Sequence, residues 1–251
     1  GRPSYSGRPD TIADMPSSAH PARVHLLGGG RDDALLVPLL ADALAGATRV
    51  RALLVIEADD DESVPRWRRL MDLAGSADAE VVSLVEGDRF APEVLDDVDA
   101  LVVGGGLTPT YAHAFAEIAP LVRERVAGGM PYVGFSAGAA IAASEALVGG
   151  WLLDGVSVAS EDAGEEEDEL LVVAGLGLVP FAIDVHAAQW GTVTRLTAAV
   201  AARLVPVGYA VDEHTALVVT DPDGDPTVAG VGAAWHVAPD GRSAVVTRRT
   251  A

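Results

Sequence analysis

Three times before residue 140, a short run of aliphatic and β-branched residues meets a glycine-rich turn and passes straight into a helical stretch. Residues 24–27 lead through Gly28, Gly29 and Gly30 into an Ala/Leu-rich segment at 33–45. Residues 99–103 lead through Gly104, Gly105 and Gly106 into helical spacing over 111–126, and residues 131–135 lead through Ser136 into a small-residue helix over 137–147. An apolar run without polar alternation is a strand buried on both faces, and its coupling to a helix through a tight turn is the βα unit of a parallel sheet. Strands are also expected at 50–56 and 80–85, with a helix at 65–73 between them. Beyond residue 170 the pattern predicts strands at 171–173, 209–211, 216–219, 227–231 and 244–247 and a helix at 194–204. Asp223-Gly224 and Asp240-Gly241 mark hairpins near the C-terminus. The fold expected is α/β and three-layered, a mostly parallel sheet flanked by helices with antiparallel hairpins at its end.

Composition narrows the partners. With 37 acidic against 17 basic side chains the formal net charge is -20, so the chain repels nucleic acid and anionic membranes. Solubility is the ordinary meaning of such a charge, ahead of any attraction for a cationic substrate. The absence of cysteine removes thiol catalysis, disulfides and Cys-ligated zinc together. Residues 1–20 are rich in Pro, Ser, Gly and Arg without an apolar run, so they read as neither signal peptide nor membrane anchor. The expected organisation is a flexible arm over 1–22 and a single α/β domain over 23–251, and the expected compartment is the cytoplasm. Acidic residues between 160 and 169 form a solvated loop in this reading. No compact ligand spacing such as H-E-x-x-H occurs, and neither metal nor other cofactor is expected.

Gly134-Phe135-Ser136-Ala137-Gly138 matches G-x-S-x-G at a strand-to-helix turn, the context in which that motif exposes a nucleophile. The residues two before and two after such a serine must be small for strand and helix to approach. Both are glycine here. The amide of Ala137, at the helix N-terminus, is placed to face a developing oxyanion, and amides of Gly105 and Gly106 arrive at the same sheet edge. Taken singly, Ser136 is equally a helix N-cap and the glycine triplet a permissive turn. A serine also needs a base, and there are six histidines. His20 and His25 lie in or beside the N-terminal arm, His236 in a terminal strand and His113 on a helix surface. His186 and His214 remain, and spacing does not choose between them.

These motifs, taken in order, are similar to a known family. Gly104-Gly105-Gly106-Leu107-Thr108 resembles the Gly-rich turn of the peptidase E and cyanophycinase family, and residues 134–139 resemble its nucleophile segment. Asp184-Val185-His186 with Gln189, Gly191, Arg195 and Leu196 is similar to its Asp-x-His region, and residues 208–217 to a fourth block. The resemblance covers roughly residues 24–220 and implies the class I glutamine amidotransferase-like fold, with serine in place of that group's cysteine. It further implies a serine peptidase or amidase acting on short peptides or isopeptide bonds of the aspartyl type. Ser136 is then the nucleophile, His186 its base, and Gly105, Gly106 and Ala137 the oxyanion donors. The triad acid lies one helix beyond the nucleophile, nearest to Asp154, with Glu145 and Glu213 as alternatives. Leu107, Asp184, Gln189, Trp190 and Arg195 are expected at the substrate.

Two departures from the family pattern bear on specificity. Leu107 stands where the family turn usually carries a polar residue, and Trp190 and Thr192 stand where cyanophycinases carry arginines. Arg195 is the retained cation, and a smaller or more apolar acyl-side group suits Leu107 and Trp190 better. The expected partner is a small peptide or isopeptide substrate, and assembly as a homodimer stays open. A non-catalytic relative that binds a ligand or partner is the competing reading. An α/β-hydrolase esterase is disfavoured, because such enzymes carry the histidine near the C-terminus.

Overall fold

The computed structural model describes residues 23–60, 62–221 and 224–251, so the expected arm over 1–22 lies outside the described residues. In chain order the elements begin β1 (Val24–Leu27), α1 (Asp33–Ala43), β2 (Val50–Ile56), α2 (Ser63–Leu73), β3 (Glu80–Val85) and β4 (Ala100–Val103). There follow α3 (Thr108–Phe115), α4 (Ala119–Ala127), β5 (Tyr132–Phe135), α5 (Ala137–Ala140), β6 (Glu145–Gly149), β7 (Leu152–Leu153), β8 (Val156–Ser157) and β9 (Leu171–Ala174). The remainder is β10 (Ala182–Val185), α6 (Ala187–Trp190), α7 (Val193–Ala201), β11 (Gly208–Val211), β12 (Thr215–Val219), β13 (Thr227–Gly230), β14 (Ala233–Asp240) and β15 (Ser243–Thr250).

Seven strands form the main sheet in the order β13-β12-β1-β5-β4-β2-β3, parallel from β1 through β3 and closed at one edge by the antiparallel β12 and β13. Strand alternation sorts its side chains into two layers. Leu26, Leu53, Leu101, Val103 and Tyr132 face a core completed by α3, α4 and α5, and Leu27, Leu54, Val102 and Val133 face one completed by α1 and α2. This is the expected three-layer α/β arrangement. A second sheet, β10-β11-β14-β15, has β10 and β11 parallel, and α7 packs Leu196, Ala199 and Val200 against it. The C-terminal strands form the two expected hairpins, β12 with β13 and β14 with β15.

Two expected helices are shorter than their spacing predicts. The stretch over 111–126 divides into α3 and α4, because Pro120 sits at the start of α4 and supplies no N–H to continue a preceding helix. The stretch over 137–147 stops at Ala140. There the carbonyls of Ile141, Ala142 and Ala143 accept instead from the amides of Leu176, Leu178 and Gly177, and residue 145 opens β6, paired with β9. The alanines favour a helix locally, so here long-range pairing overrides propensity. Among the described residues no helix is long and apolar enough to cross a membrane.

Candidate active site

The site is built where β5, β10 and β11 end. Parallel strands deliver their C-terminal loops to one edge, and β5 there runs without a spacer into α5. Ser136 occupies this junction with φ 52° and ψ −112°, a left-handed conformation that costs a non-glycine residue about 1–3 kcal/mol. Close packing on either side holds it. A Cβ on Gly134 would lie 2.4 Å from the carbonyl oxygen of Gly138, and one on Gly138 would lie 2.4 Å from that of Val103. The buried Tyr132 hydroxyl donates to the Gly138 carbonyl at 2.7 Å, pinning the turn from below. Although Ser136 is the N-cap residue of α5, its side chain makes no capping bond. Its Oγ lies instead 2.8 Å from Nε2 of His186.

His186 is the residue after β10, itself in the left-handed region at φ 53°, with its amide held by the carbonyl of Gly28 at 2.9 Å. Its Nδ1 lies 2.8 Å from Oε1 of Glu213. With Nδ1–H donating to that carboxylate, Nε2 is left as the acceptor for the serine O–H. Burial pushes the imidazole pKa below the ordinary histidine value, with the Glu213 hydrogen bond opposing. The ring is therefore neutral at neutral pH, the form in which it can take a proton.

Glu213 reaches the imidazole because β10 and β11 pair in parallel with Val185 opposite Val211, so the residues just past each strand emerge side by side. Its backbone amide is fixed by Gln189 Oε1 at 2.9 Å. Asp154, expected as the acid, is not brought to the imidazole. It lies exposed in the turn between β7 and β8 at φ 52°, and position along the chain gave no sign that this hairpin folds away. Glu145 likewise lies exposed, at the start of β6. The neighbouring Asp212 is buried and accepts from Ala188 N, Ala233 N and Trp235 Nε1, tying α6 to β14.

Opposite the imidazole, Gly105 passes so near that a Cβ there would lie 2.8 Å from Cβ of Ser136. The amides of Gly105, Gly106 and Ala137 donate to no group among the described residues, while the next amide, that of Gly138, is consumed by the Gly104 carbonyl at 2.9 Å. Of these, the Gly105 and Ala137 amides belong to residues next to the serine, one across the packed turn and one following it in the chain, and uncommitted amides of this kind are what an oxyanion requires. Leu107, half-buried, is the N-cap residue of α3, and its carbonyl accepts from the Thr110 hydroxyl at 2.7 Å.

Arg195 and Asp184 are not available to a substrate. Asp184 is 1% and Arg195 3% exposed in their side chains, and the two form a two-point ion pair, Nη2–Oδ1 at 2.7 Å and Nε–Oδ2 at 2.9 Å. The guanidinium also donates to the carbonyl of Ala163 and, at 3.4 Å, to that of Gly150. Every nitrogen of Arg195 is thus committed within the protein. This pair anchors the acidic loop expected to be solvated, and Glu165 anchors it again. The Glu165 carboxylate accepts from Thr108 N at 2.6 Å and from the Thr108 hydroxyl at 3.0 Å, directly after the glycine turn, and burial raises its pKa. The only sequence signal for this was an acid among acids, which charge alone assigns to solvent. Trp190 stacks on His186, ring centroids 4.0 Å apart and planes 11° from parallel.

The model of peptidase family S51 matches residues 26–225. Among curated proteins, the pyridoxal 5'-phosphate synthase subunit PdxT of Streptomyces avermitilis is 37% identical over 86 residues, 31% of this chain and 42% of that protein. The chain therefore spans less than half the length of that relative. Among solved structures, a peptidase from an acI-B1 Actinobacterium superposes with a TM-score of 0.62 at 17% identity, covering 93% of this chain and 96% of the other. A putative peptidase E protein from Listeria monocytogenes superposes with a TM-score of 0.53, also at 17% identity, over 84% of this chain and 98% of the other. Both likenesses concern the fold.

Proposed function

This chain belongs to peptidase family S51, and from that premise we propose that it is a serine-type peptidase or amidase cleaving short peptides or aspartyl-type isopeptides. Ser136 is the nucleophile, His186 the base and Glu213 the acid. The observation that carries the reading is the unbroken hydrogen-bonded line from Ser136 Oγ to His186 Nε2 and from His186 Nδ1 to Glu213 Oε1, each link 2.8 Å.

The steps follow from that line. Ser136 Oγ attacks the amide carbonyl as His186 Nε2 takes its proton, and Glu213 stabilises the imidazolium so formed. The carbonyl oxygen becomes an oxyanion among the amides of Gly105, Gly106 and Ala137. Collapse breaks the C–N bond, and Nε2 returns the proton to the leaving amine. Water, deprotonated by the same imidazole, then attacks the acyl-serine; the ester C–O bond breaks, the acid leaves, and Nε2 returns the proton to Ser136 Oγ. A single oxyanion donor is worth about 10²–10³ in rate.

A fluorophosphonate probe tests this at once. Labelling of the wild type, lost in Ser136→Ala and strongly slowed in His186→Ala, is the expected result. No labelling of the wild type would leave a non-catalytic member of the family.

A further inference from the structure

The indole of Trp190 has two neighbours. It stacks on His186, and it lines an open groove of about 560 Å³ together with Val158, Ala159, Ser160 and Thr194. It is also 45% exposed. Whatever occupies the groove therefore meets the residue whose ring stacks on His186, the hydrogen-bond partner of Ser136.

The groove says what that side chain is. No residue lining it carries charge. Arg195, one position beyond Thr194, is buried and wholly engaged by Asp184 and two carbonyls. The Thr194 hydroxyl donates to the Val158 carbonyl at 2.6 Å. The exposed Glu161 and Asp162 follow Ser160 directly, so the local field, like the net charge, opposes a carboxylate. What remains for recognition is the indole, the aliphatic surface of Val158 and Ala159, and the uncharged hydroxyls of Ser157 and Ser160.

We propose that Trp190 and this groove form the specificity site for an uncharged apolar or aromatic side chain flanking the scissile bond, a reading that rests on the serine-peptidase function above. A hydrophobic site of this kind discriminates by about 10–200-fold between side chains differing in size, and an open groove belongs at the lower end.

The test separates binding from catalysis. Dipeptides carrying Leu, Phe, Ala, Asp or Arg on the acyl side or on the amine side of the scissile bond are titrated calorimetrically into Ser136→Ala protein. In one of the two positions Leu and Phe should bind about tenfold tighter than Ala and more than tenfold tighter than Asp. Adding Trp190→Ala should flatten the series to within about twofold, and Trp190→Phe should restore it. Tighter binding of Asp or Arg than of Leu and Phe, or a series unmoved by Trp190→Ala, would overturn the proposal. Fluorophosphonate labelling of the wild type, measured alongside, decides the serine reading independently, because the titrations need no turnover.

Discussion

Replacing Arg195 by methionine separates a structural cation from a substrate-binding one. The guanidinium is buried, makes two bonds to Asp184, and holds the acidic loop through the carbonyls of Ala163 and Gly150. Methionine approximates the volume of its stem but leaves the Asp184 carboxylate charged and dry, with Val185 N as its one remaining donor. Breaking a buried pair from one side costs about 3–5 kcal/mol, because the abandoned charge keeps its desolvation penalty. In a domain of this size each kcal/mol moves Tm by about 2–4 °C, so Arg195→Met should unfold roughly 6–20 °C below the wild type. Removing the other partner as well, in Asp184→Leu with Arg195→Met, should recover part of that loss. Recovery stays incomplete, since two loop carbonyls still lack their donor. Differential scanning calorimetry on the three proteins measures this. A Tm for Arg195→Met within 2 °C of the wild type, with KM raised for acidic substrates, would refute the reasoning and return Arg195 to the substrate.

Other consequences are equally direct. Glu213→Gln should lower kcat by about 10²–10⁴, whereas Asp154→Asn should stay within twofold, and steady-state rates on any cleaved dipeptide distinguish them. The acid limb of kcat/KM should fall below the ordinary histidine value near 6.5, because burial keeps His186 unprotonated and reactive at pH values where a free imidazole is charged. In Glu213→Gln, which lacks the partner that favours the charged ring, a pH–rate profile should place that limb lower still. His25 is buried in β1 with Nε2 unpartnered, and burial lowers its pKa. Below about pH 6.5 the unfolded chain binds a proton that the folded chain refuses, so stability falls as pH falls. His25→Phe should flatten the dependence of Tm on pH between 7 and 5, and an unchanged slope would assign it elsewhere.

How much of this was legible beforehand depended on the range of each interaction. The βα units could be read because an apolar run, a glycine turn and a helical period are local facts. The carboxylate beside the imidazole could not. The resemblance points to Asp154 by its place along the chain, whereas the parallel pairing of β10 with β11 sets Glu213 beside His186. Arg195 misled for a similar reason: a cation near a site residue reads as a ligand-binding group until its own partners are visible. Glu165 was hidden by composition, since one acid of a run docks on Thr108 while its neighbours Glu161, Asp162 and Glu166 face solvent. The helix over 137–147 is cut short because bonds to residues 176–178 override the helix preference of its alanines.

Sequence alone determined the layered α/β architecture, the strained serine between two glycines and the candidates for its base, because each rests on sterics and periodicity within a few residues. Tertiary structure alone decided which carboxylate meets the imidazole, which cation is buried and what the tryptophan covers. Hydrogen bonds and desolvation act over a few ångströms of space. Residues that lie 27 or 50 positions apart along the chain become neighbours only when strand order and register bring them together.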